Sequence, residues 1–513
     1  MYRVINLSKS AWNLVLVVLC LTNSLLVSAE DANETAKVKT AIPELVEVIT
    51  EHSARFNGQK VTYKAVAGEV ALKNDKDEVT GHLFSTSYLR TNHKQGNGRP
   101  VTFVFNGGPG SASLWLHMGS FGPKRVLVNS KANEDDGAAP YPLVHNPDSL
   151  IDQTDLVFID PIGTGYSRLV GNGKPEDYWG LKADTDSIAE FIRIWITKHK
   201  RWNAPKYIIG ESYGSPRAVG VTRSLRQNGQ DIALNGIVMI SQAMDYTGSS
   251  PFDDNLIAYV TYLPTYAALA QYHGKAGQNE SAESFIEKSR QFAVNEYLPA
   301  LFKGNGLSKP DKERLAEKMS QFIGLDKEYI LRSNLRVLVS RFAKELLGDE
   351  GLSIGFLDGR YKSSEIDQVA SRANSDAASD SIGSAYTTAI NHYFQTSLGV
   401  NLQRQYRIRN PDIGKHWDWT PIVSNPFDER EFMNVSRILS TEMRKNKDLN
   451  ILVASGYFDM VTPFFDAEYT FARHGIRKEQ VTMTYYPAGH MMYVNDESFI
   501  QLTKDVRDFL SNN

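Results

Sequence analysis

A serine stands at the centre of a Gly-x-Ser-x-Gly pentapeptide at 210–214, directly after the apolar run 206–209. A sharp turn between a strand and a helix exposes the hydroxyl of such a serine, here Ser212, as a nucleophile. The flanking glycines let the two elements approach closely, and residues 215–224 are compatible with the helix that the turn requires. An ordinary strand-to-helix turn is the alternative, because the pentapeptide also occurs by chance.

A glycine-rich segment, Asn-Gly-Gly-Pro-Gly-Ser at 106–111, follows the apolar run 101–105. Glycines let backbone N–H groups approach a substrate oxygen, where each well-placed donor stabilises the transition state by roughly 3 kcal/mol. A plain turn and a phosphate-binding loop are the alternatives. The phosphate loop is excluded because no Gly-Lys-Ser or Gly-Lys-Thr follows. The segment predicts an oxyanion-binding loop.

A histidine and an aspartate in the C-terminal part of the chain each follow an apolar run. His490 lies in a glycine-containing loop, and Asp459 follows the preceding run, with Asp466 as a nearby rival. Each residue alone could be a surface, core or turn residue. The order Ser212, Asp459, His490 is the order of nucleophile, acid and base in α/β-hydrolases, so we predict a catalytic triad.

Short continuous apolar runs alternate with helical periodicity, as in a parallel sheet that is covered by helices. A helix is predicted over 181–198, and residues 61–89 alternate around a charged turn, which predicts an antiparallel hairpin. The buried strands are predicted over 101–105, 155–159, 206–209, 236–240, 450–454 and 481–485. The fold class is therefore α/β, with a mostly parallel central sheet and helices on both faces.

The strand pattern stops after residue 242 and resumes near residue 446. We therefore predict a mostly helical cap at 243–445, inserted between the two parts of an α/β-hydrolase core at 30–242 and 446–513. Clear helical periodicity inside the insertion occurs at 281–298, 311–322 and 335–347.

Residues 1–29 have a positively charged start, a short apolar run and small residues at Val27-Ser28-Ala29. This pattern predicts a cleaved secretory signal peptide, and with it a periplasmic or secreted protein. A membrane anchor is the alternative, but the run is shorter than the ~20 residues of a spanning helix, so no membrane attachment is expected after cleavage. A lipoprotein signal at Cys20 is disfavoured because Leu19 is too large for the position before it.

Cys20 is the only cysteine of the 513 residues, so the mature chain would have no disulfide, cysteine nucleophile or cysteine-based metal site. No metal and no cofactor are expected. Lys and Arg number 56 against 59 Asp and Glu, and no basic stripe is visible, which argues against a nucleic-acid partner. The oligomeric state is not specified by the sequence.

The combined motifs closely resemble those of the serine carboxypeptidases. They are Asn-Gly-Gly-Pro-Gly-Ser-Ala-Ser at 106–113, Phe-Gly-Pro at 121–123, Asp-Pro-Ile-Gly-Thr-Gly-Tyr-Ser at 160–167, Gly-Glu-Ser-Tyr-Gly at 210–214 and Gly-His-Met at 489–491. The resemblance implies an α/β-hydrolase fold with a helical cap and peptide substrates. The family's usual cysteine after Gly-Gly-Pro-Gly is Ser111 here, which is consistent with a bacterial-type member without disulfides.

The resemblance also implies roles for single residues. Ser212 would be the nucleophile, His490 the general base and Asp459 the residue that orients it. The other implied positions are the backbone N–H groups of Gly108 and Tyr213 as oxyanion hole, and Asn106 and Glu211 as the groups that bind the C-terminal carboxylate of the substrate.

One departure concerns this carboxylate site, because the family's second glutamate is Ser120 here. Without a carboxyl neighbour to raise its pKa, Glu211 is expected to be ionised at neutral pH and to repel a free carboxylate. Either Ser120, Asn106 and a cation such as Arg217 or Arg168 then anchor the carboxylate, or the substrate lacks a free C-terminus. We favour the first, with peptidase activity less confined to acidic pH than is usual in the family.

Other functions on the same scaffold stay open, because a fold does not fix a substrate. An acyltransferase, an esterase and an aminopeptidase are the enzymatic alternatives. A non-catalytic exported binding protein is disfavoured because all three triad residues are present.

Overall fold

The computed structural model describes residues 42–93, 98–129, 131–132, 136–227, 229–422 and 432–513. The predicted signal peptide at 1–29, with Cys20, lies outside these ranges. Within them, no helix combines the length and the apolar character that crossing a membrane needs.

The main sheet is mostly parallel, as predicted. Its strand order is β1-β2-β3-β7-β4-β9-β10-β13-β14, with β8 paired to β3. The first three strands and the β3–β7 pair are antiparallel, and every pair from β7 to β14 is parallel. The strands are β1 (Glu47–Phe56), β2 (Gln59–Lys73), β3 (Val79–Arg90), β4 (Val101–Phe105), β5 (Lys124–Val126), β6 (Leu143–His145), β7 (Asp155–Ile159), β8 (Arg168–Leu169), β9 (Lys206–Glu211), β10 (Gly236–Ile240), β11 (Leu352–Ile354), β12 (Lys362–Ser364), β13 (Asn450–Gly456) and β14 (Val481–Tyr486).

Helices cover both faces of this sheet. The helices of the described residues are α1 (Leu114–Leu116), α2 (Leu181–Lys198), α3 (Gly214–Leu225), α4 (Leu256–Tyr272), α5 (Ala282–Phe292), α6 (Leu298–Lys303), α7 (Lys309–Ile323), α8 (Lys327–Arg332), α9 (Val339–Glu345), α10 (Ala377–Thr396), α11 (Pro411–Lys415), α12 (Ser436–Lys445), α13 (Phe464–Phe471) and α14 (Asp496–Asn512).

Two apolar cores explain why the central strands are continuous apolar runs. Val104 of β4 belongs to a core shared with α10 and α14, whereas its neighbours Phe103 and Phe105 belong to a core shared with α2 and α3. Because side chains alternate between the faces of a strand, both faces must be apolar when both are buried. The predicted strands, the hairpin and the helix over 181–198 are confirmed.

The chain between β10 and β13 contains helices α4 to α12 and the small antiparallel hairpin β11–β12. Helices α4, α7 and α9 share a third apolar core that is distinct from the two sheet cores. The helical periodicity predicted in this segment is confirmed. The hairpin β11–β12 and strand β1 were not predicted. The domain boundaries at 243 and 445 stay predictions.

Candidate active site

The candidate nucleophile Ser212 lies in the turn between β9, which ends at Glu211, and α3, which begins at Gly214. Ser212 has a φ of +58°, a left-handed conformation that is strained for a residue with a side chain. Its N–H donates to the carbonyl of Ile240 at 2.9 Å, at the end of the neighbouring strand. Ser212 stays partly exposed although both of its chain neighbours are buried. The turn therefore has the geometry of the predicted sharp turn that exposes a nucleophilic serine, known as a nucleophile elbow.

The glycine-rich loop lies directly against this turn. A Cβ atom on Gly107 would come within 2.4 Å of the backbone nitrogen of Tyr213 and 2.7 Å of the carbonyl oxygen of Glu211. Only glycine allows so close an approach of two backbones. Within the described ranges, neither the N–H of Gly108 nor the N–H of Tyr213 donates a hydrogen bond to a backbone carbonyl. Both are therefore available to a substrate oxygen, as an oxyanion hole requires.

Asp459 follows β13, and its fully buried carboxylate is held by four hydrogen bonds. Oδ1 accepts the N–H groups of Val461 at 2.8 Å and Thr462 at 2.9 Å. Oδ2 accepts the Thr462 hydroxyl at 2.6 Å and lies 2.8 Å from Nδ1 of His490. An ionised carboxylate only accepts hydrogen bonds, so Nδ1 carries a hydrogen and Nε2 of the neutral ring is left to take a proton.

His490 lies in the loop after β14 and is fixed through its backbone as well as its ring. Its N–H donates to the carbonyl of Leu357 at 2.6 Å, and its own carbonyl accepts the Ser241 hydroxyl at 2.7 Å. Burial alone would lower the pKa of His490. The charge and hydrogen bond of Asp459, with the charge of Glu211, outweigh burial and raise the pKa above its usual value.

The structure joins the predicted base and acid directly, whereas Ser212 Oγ makes no hydrogen bond to another described residue. Catalytic hydrogen bonds of a free enzyme often tighten only when substrate binds. The rival acid Asp466 lies in α13 and is not hydrogen-bonded to His490. Among the described side chains, no group of three or more His, Cys, Asp or Glu residues could hold a metal ion.

A second cluster of buried polar groups adjoins the nucleophile. Glu211 precedes Ser212, and its Oε1 accepts the side-chain amide of Asn106 at 2.8 Å. Its Oε2 accepts the hydroxyl of Tyr493 at 2.7 Å. Burial raises the pKa of Glu211 to about 7, although the charge of His490 and these two hydrogen bonds act to lower it. The predicted carboxylate-binding pair is therefore in contact, and its acid can carry a proton near neutral pH.

A family model of the serine carboxypeptidases matches residues 55–499. The chain belongs to the serine carboxypeptidase family. The segments that match curated family members are shorter. Serine carboxypeptidase-like 36 of Arabidopsis thaliana is 30% identical over 185 residues, which is 35% of this chain and 34% of that relative. Serine carboxypeptidase-like 16 of the same plant is 29% identical over 157 residues, which is 29% of this chain and 34% of that relative.

Among solved structures, the chain is similar to Kex1(delta)p, a prohormone-processing carboxypeptidase from Saccharomyces cerevisiae. The TM-score is 0.54 at 15% sequence identity, and the match covers 88% of this chain and 91% of the yeast chain. At this identity the likeness concerns the fold. The α/β-hydrolase fold class is confirmed.

Ser120, which stands where the serine carboxypeptidases have their second glutamate, lies in the π-helical turn His117–Phe121. Ser120 is fully buried, and its Oγ has no hydrogen-bond partner in the described part of the chain. The expectation that nothing raises the pKa of Glu211 is corrected, because burial raises this pKa to about 7. The partner of Glu211 is the phenol of Tyr493 rather than a second carboxyl.

Neither arginine suggested by the sequence can serve as the cation of this site. Arg217 is fully buried, where its Nε donates to Asp184 at 2.7 Å and its Nη1 to the carbonyl of Asn106 at 2.5 Å. Arg168 donates to three backbone carbonyls. Arg217 thus positions the glycine-rich loop. Arg409 is exposed, and its charge acts to lower the pKa of His490.

Two residues of the site were missed by the sequence analysis. Thr462 donates to the catalytic acid candidate, and Tyr493 donates to Glu211. Thr462 lies three residues after Asp459, and Tyr493 lies three residues after His490. This spacing was the only hint in the sequence that either residue belongs to the site. A polar residue at that distance can turn back onto the same loop, but sequence alone does not show that it does.

Proposed function

We propose that the protein is a serine-type carboxypeptidase that removes C-terminal residues from peptides through an acyl-enzyme. The observation that carries the proposal is the buried, hydrogen-bonded pair of Glu211 and Asn106. Glu211 directly precedes the nucleophile, and Asn106 begins the glycine-rich loop. An esterase or an aminopeptidase has no use for a protonatable acid at the place where a C-terminal carboxylate would lie.

In the first step, Ser212 Oγ attacks the carbonyl carbon of the last peptide bond while Nε2 of His490 takes its proton. The N–H groups of Gly108 and Tyr213 stabilise the oxyanion. Asp459 keeps the ring in the required tautomer and stabilises its positive charge. The C–N bond then breaks, and the leaving amino acid takes the proton from His490. Water then attacks the carbonyl carbon of the ester while Nε2 of His490 takes its proton, the C–O bond to Ser212 breaks, and Oγ takes the proton back from His490.

Recognition of the chain end is assigned to Glu211 and Asn106. A protonated Glu211 donates a hydrogen bond to the carboxylate of the substrate, and an ionised Glu211 repels it. Tyr493 takes the place of the absent second carboxyl as the partner that fixes Glu211. Arg409 supplies a positive charge that attracts the anionic chain end toward the catalytic residues.

The assignments of a cap, of export and of a bacterial type rest on the sequence patterns alone. Residues 243–445 would form a cap that admits a chain end but excludes a folded protein. Cleavage of the signal peptide at 1–29 would yield an exported, periplasmic or secreted enzyme of bacterial type, without cysteine, since Cys20 leaves with the signal.

The decisive experiment locates the cut end. The protein is incubated with a mixture of unblocked peptides, and the products are identified by mass. Successive loss of C-terminal residues is expected, with no loss in the Ser212→Ala variant, which a fluorophosphonate probe should also fail to label. Loss from the N-terminus would indicate an aminopeptidase. Turnover of esters alone would indicate an esterase, and transfer to an added alcohol without net hydrolysis an acyltransferase.

A further inference from the structure

The hairpin β11–β12 presents a turn, residues 355–361, that we call the cap turn. It belongs to the inserted segment and lies about 100 residues before Asp459 and about 130 residues before His490 in the chain. The cap turn nevertheless makes backbone hydrogen bonds to both the loop of Asp459 and the loop of His490. These bonds join the insertion to the two residues that must act together on Ser212.

The bonds to the acid loop lie on both sides of Asp459. Gly359 N–H donates to the carbonyl of Phe458 at 3.0 Å, and Met460 N–H donates to the carbonyl of Phe356 at 3.0 Å. The residues immediately before and after Asp459 are thus both held by the cap turn. The backbone position of the carboxylate is therefore set from the insertion as well as from β13.

The bonds to the base loop reach His490 itself. His490 N–H donates to the carbonyl of Leu357 at 2.6 Å, and Gly489 N–H donates to Oδ2 of Asp358 at 3.2 Å. A Cβ atom on Gly489 would lie 2.4 Å from the Cβ of Asp358, so a glycine is needed for this contact. The cap turn and the histidine loop are packed backbone against backbone.

A buried ion pair stiffens the cap turn at this point. Asp358 and Arg360 are each 5% exposed, and the guanidinium binds the carboxylate through Nε at 3.0 Å and Nη2 at 2.6 Å. The remaining nitrogen, Nη1, donates to the carbonyl of Pro487 at 3.2 Å, again in the histidine loop. A two-pronged arginine–carboxylate contact has a fixed geometry, so it transmits a defined position to Gly489 and Pro487.

We propose that Asp358 and Arg360 are positioning residues that set the hydrogen bond between His490 and Asp459. They touch no reacting atom. They fix the backbone of the His490 loop, and the rest of the cap turn fixes the backbone on both sides of Asp459. The inference rests on the triad assigned above under the proposed function.

The first test is the Asp358→Ala variant of the full chain. It removes the acceptor of Gly489 N–H and frees Arg360. A displacement near 1 Å at a catalytic group can cost about a hundredfold in rate, so we expect kcat to fall ten- to hundredfold with KM within twofold. Asp358→Asn keeps an acceptor for Gly489 and should retain more of the rate than Asp358→Ala.

A second readout is the rising, acidic limb of the pH profile of kcat/KM, which reports the protonation of His490. The groups that face His490 are Asp459 and Glu211, which raise its pKa, and Arg409, which lowers it. A loosened contact with Asp459 moves the limb to lower pH. An unpaired Arg360 would act in the same direction, so the charge-neutral double variant Asp358→Asn/Arg360→Met separates geometry from charge. The limb should still move in the double variant.

The matched control is Asp155→Ala. Asp155 is likewise buried and paired with arginines, Arg99 and Arg201. It begins β7, at the amino-terminal ends of the parallel strands, whereas the nucleophile follows the carboxyl end of β9. We expect this variant to lose thermal stability and keep kcat and the acidic limb. If the Asp358 variants behave in the same way, the positioning role is refuted. If they do not fold, Arg360→Met alone decides by the same criteria.

The rate of labelling by a fluorophosphonate probe keeps the two proposals apart, because this reaction needs the triad but no peptide substrate. Wild-type protein that is labelled at Ser212 but cuts no peptide would overturn the carboxypeptidase assignment alone. Equal labelling rates of wild type and Asp358→Ala would overturn the positioning role alone.

Discussion

The protonation of Glu211 should decide how the enzyme treats a free chain end as the pH rises. The perturbation is a pH change between 6 and 9. The substrates are two blocked dipeptides that differ only in a C-terminal carboxylate or a C-terminal amide. Burial raises the pKa of Glu211 to about 7 from a usual value of 4.5. Above that pKa the group becomes an anion, which repels the carboxylate but leaves the neutral amide unaffected.

The magnitude follows from the titration of one group. With a pKa of about 7, half of Glu211 is protonated at pH 7, roughly one part in eleven at pH 8 and roughly one in a hundred at pH 9. The kcat/KM of the free acid, divided by that of the amide, should therefore fall about tenfold per pH unit above 8. Titration of His490 affects both substrates equally and cancels in the ratio.

The assay measures this ratio for wild type and for Glu211→Gln. Glutamine keeps the shape and an acceptor for Tyr493 but has no titration, so its ratio should be constant over the same range. A wild-type ratio that does not change between pH 6 and 9, or one that falls equally in Glu211→Gln, would refute the reasoning. Either result would mean that another group, or none, senses the carboxylate.

Three further substitutions test other contacts. Tyr493→Phe removes a hydrogen bond that lowers the pKa of Glu211, so the fall in the acid-to-amide ratio should move to higher pH, and an unmoved ratio would contradict this. Thr462→Val removes a donor to the buried Asp459 carboxylate, at a cost of about 1–3 kcal/mol, which should appear as a lower melting temperature and a lower kcat. Ser120→Glu places a larger side chain with a carboxyl group in a fully buried turn. We expect the free energy of unfolding, measured by denaturant titration, to fall by about 1–3 kcal/mol. Undiminished stability would show that the turn has room for the larger side chain.

The core of the site was predictable because it depends on local patterns. The strand at 206–211, the left-handed turn at Ser212 and the helix after it form one contiguous motif, and His490 and Asp459 each follow a buried strand. Buried parallel strands are continuous apolar runs, and their carboxyl ends meet at one edge of the sheet. The position of each triad residue after its strand therefore already predicts the assembly that brings Asp459 and His490 within 2.8 Å.

The parts that were missed depend on distant contacts. The pKa of Glu211 depends on burial, and its partner Tyr493 lies 282 residues away in the chain. Arg217 lies in a site motif, but only the structure shows that its Nε binds Asp184 and its Nη1 binds a backbone carbonyl. Strand β1 was missed because its side chains alternate between exposed and half-buried, which gives a weak apolar pattern. A short hairpin such as β11–β12 has too few residues for any periodicity.

The cap turn has a consequence for exchanging parts between relatives. The predicted insertion begins and ends at the paired strands β10 and β13, so it could be exchanged as a unit. Here residues 355–361 of the predicted insertion are packed backbone to backbone against the loops of Asp459 and His490. A chimera with breakpoints at the ends of the insertion would therefore combine a foreign turn with a native histidine loop. Keeping the turn and both loops from one parent preserves their complementarity, so the unit that must be exchanged together is larger than the predicted core.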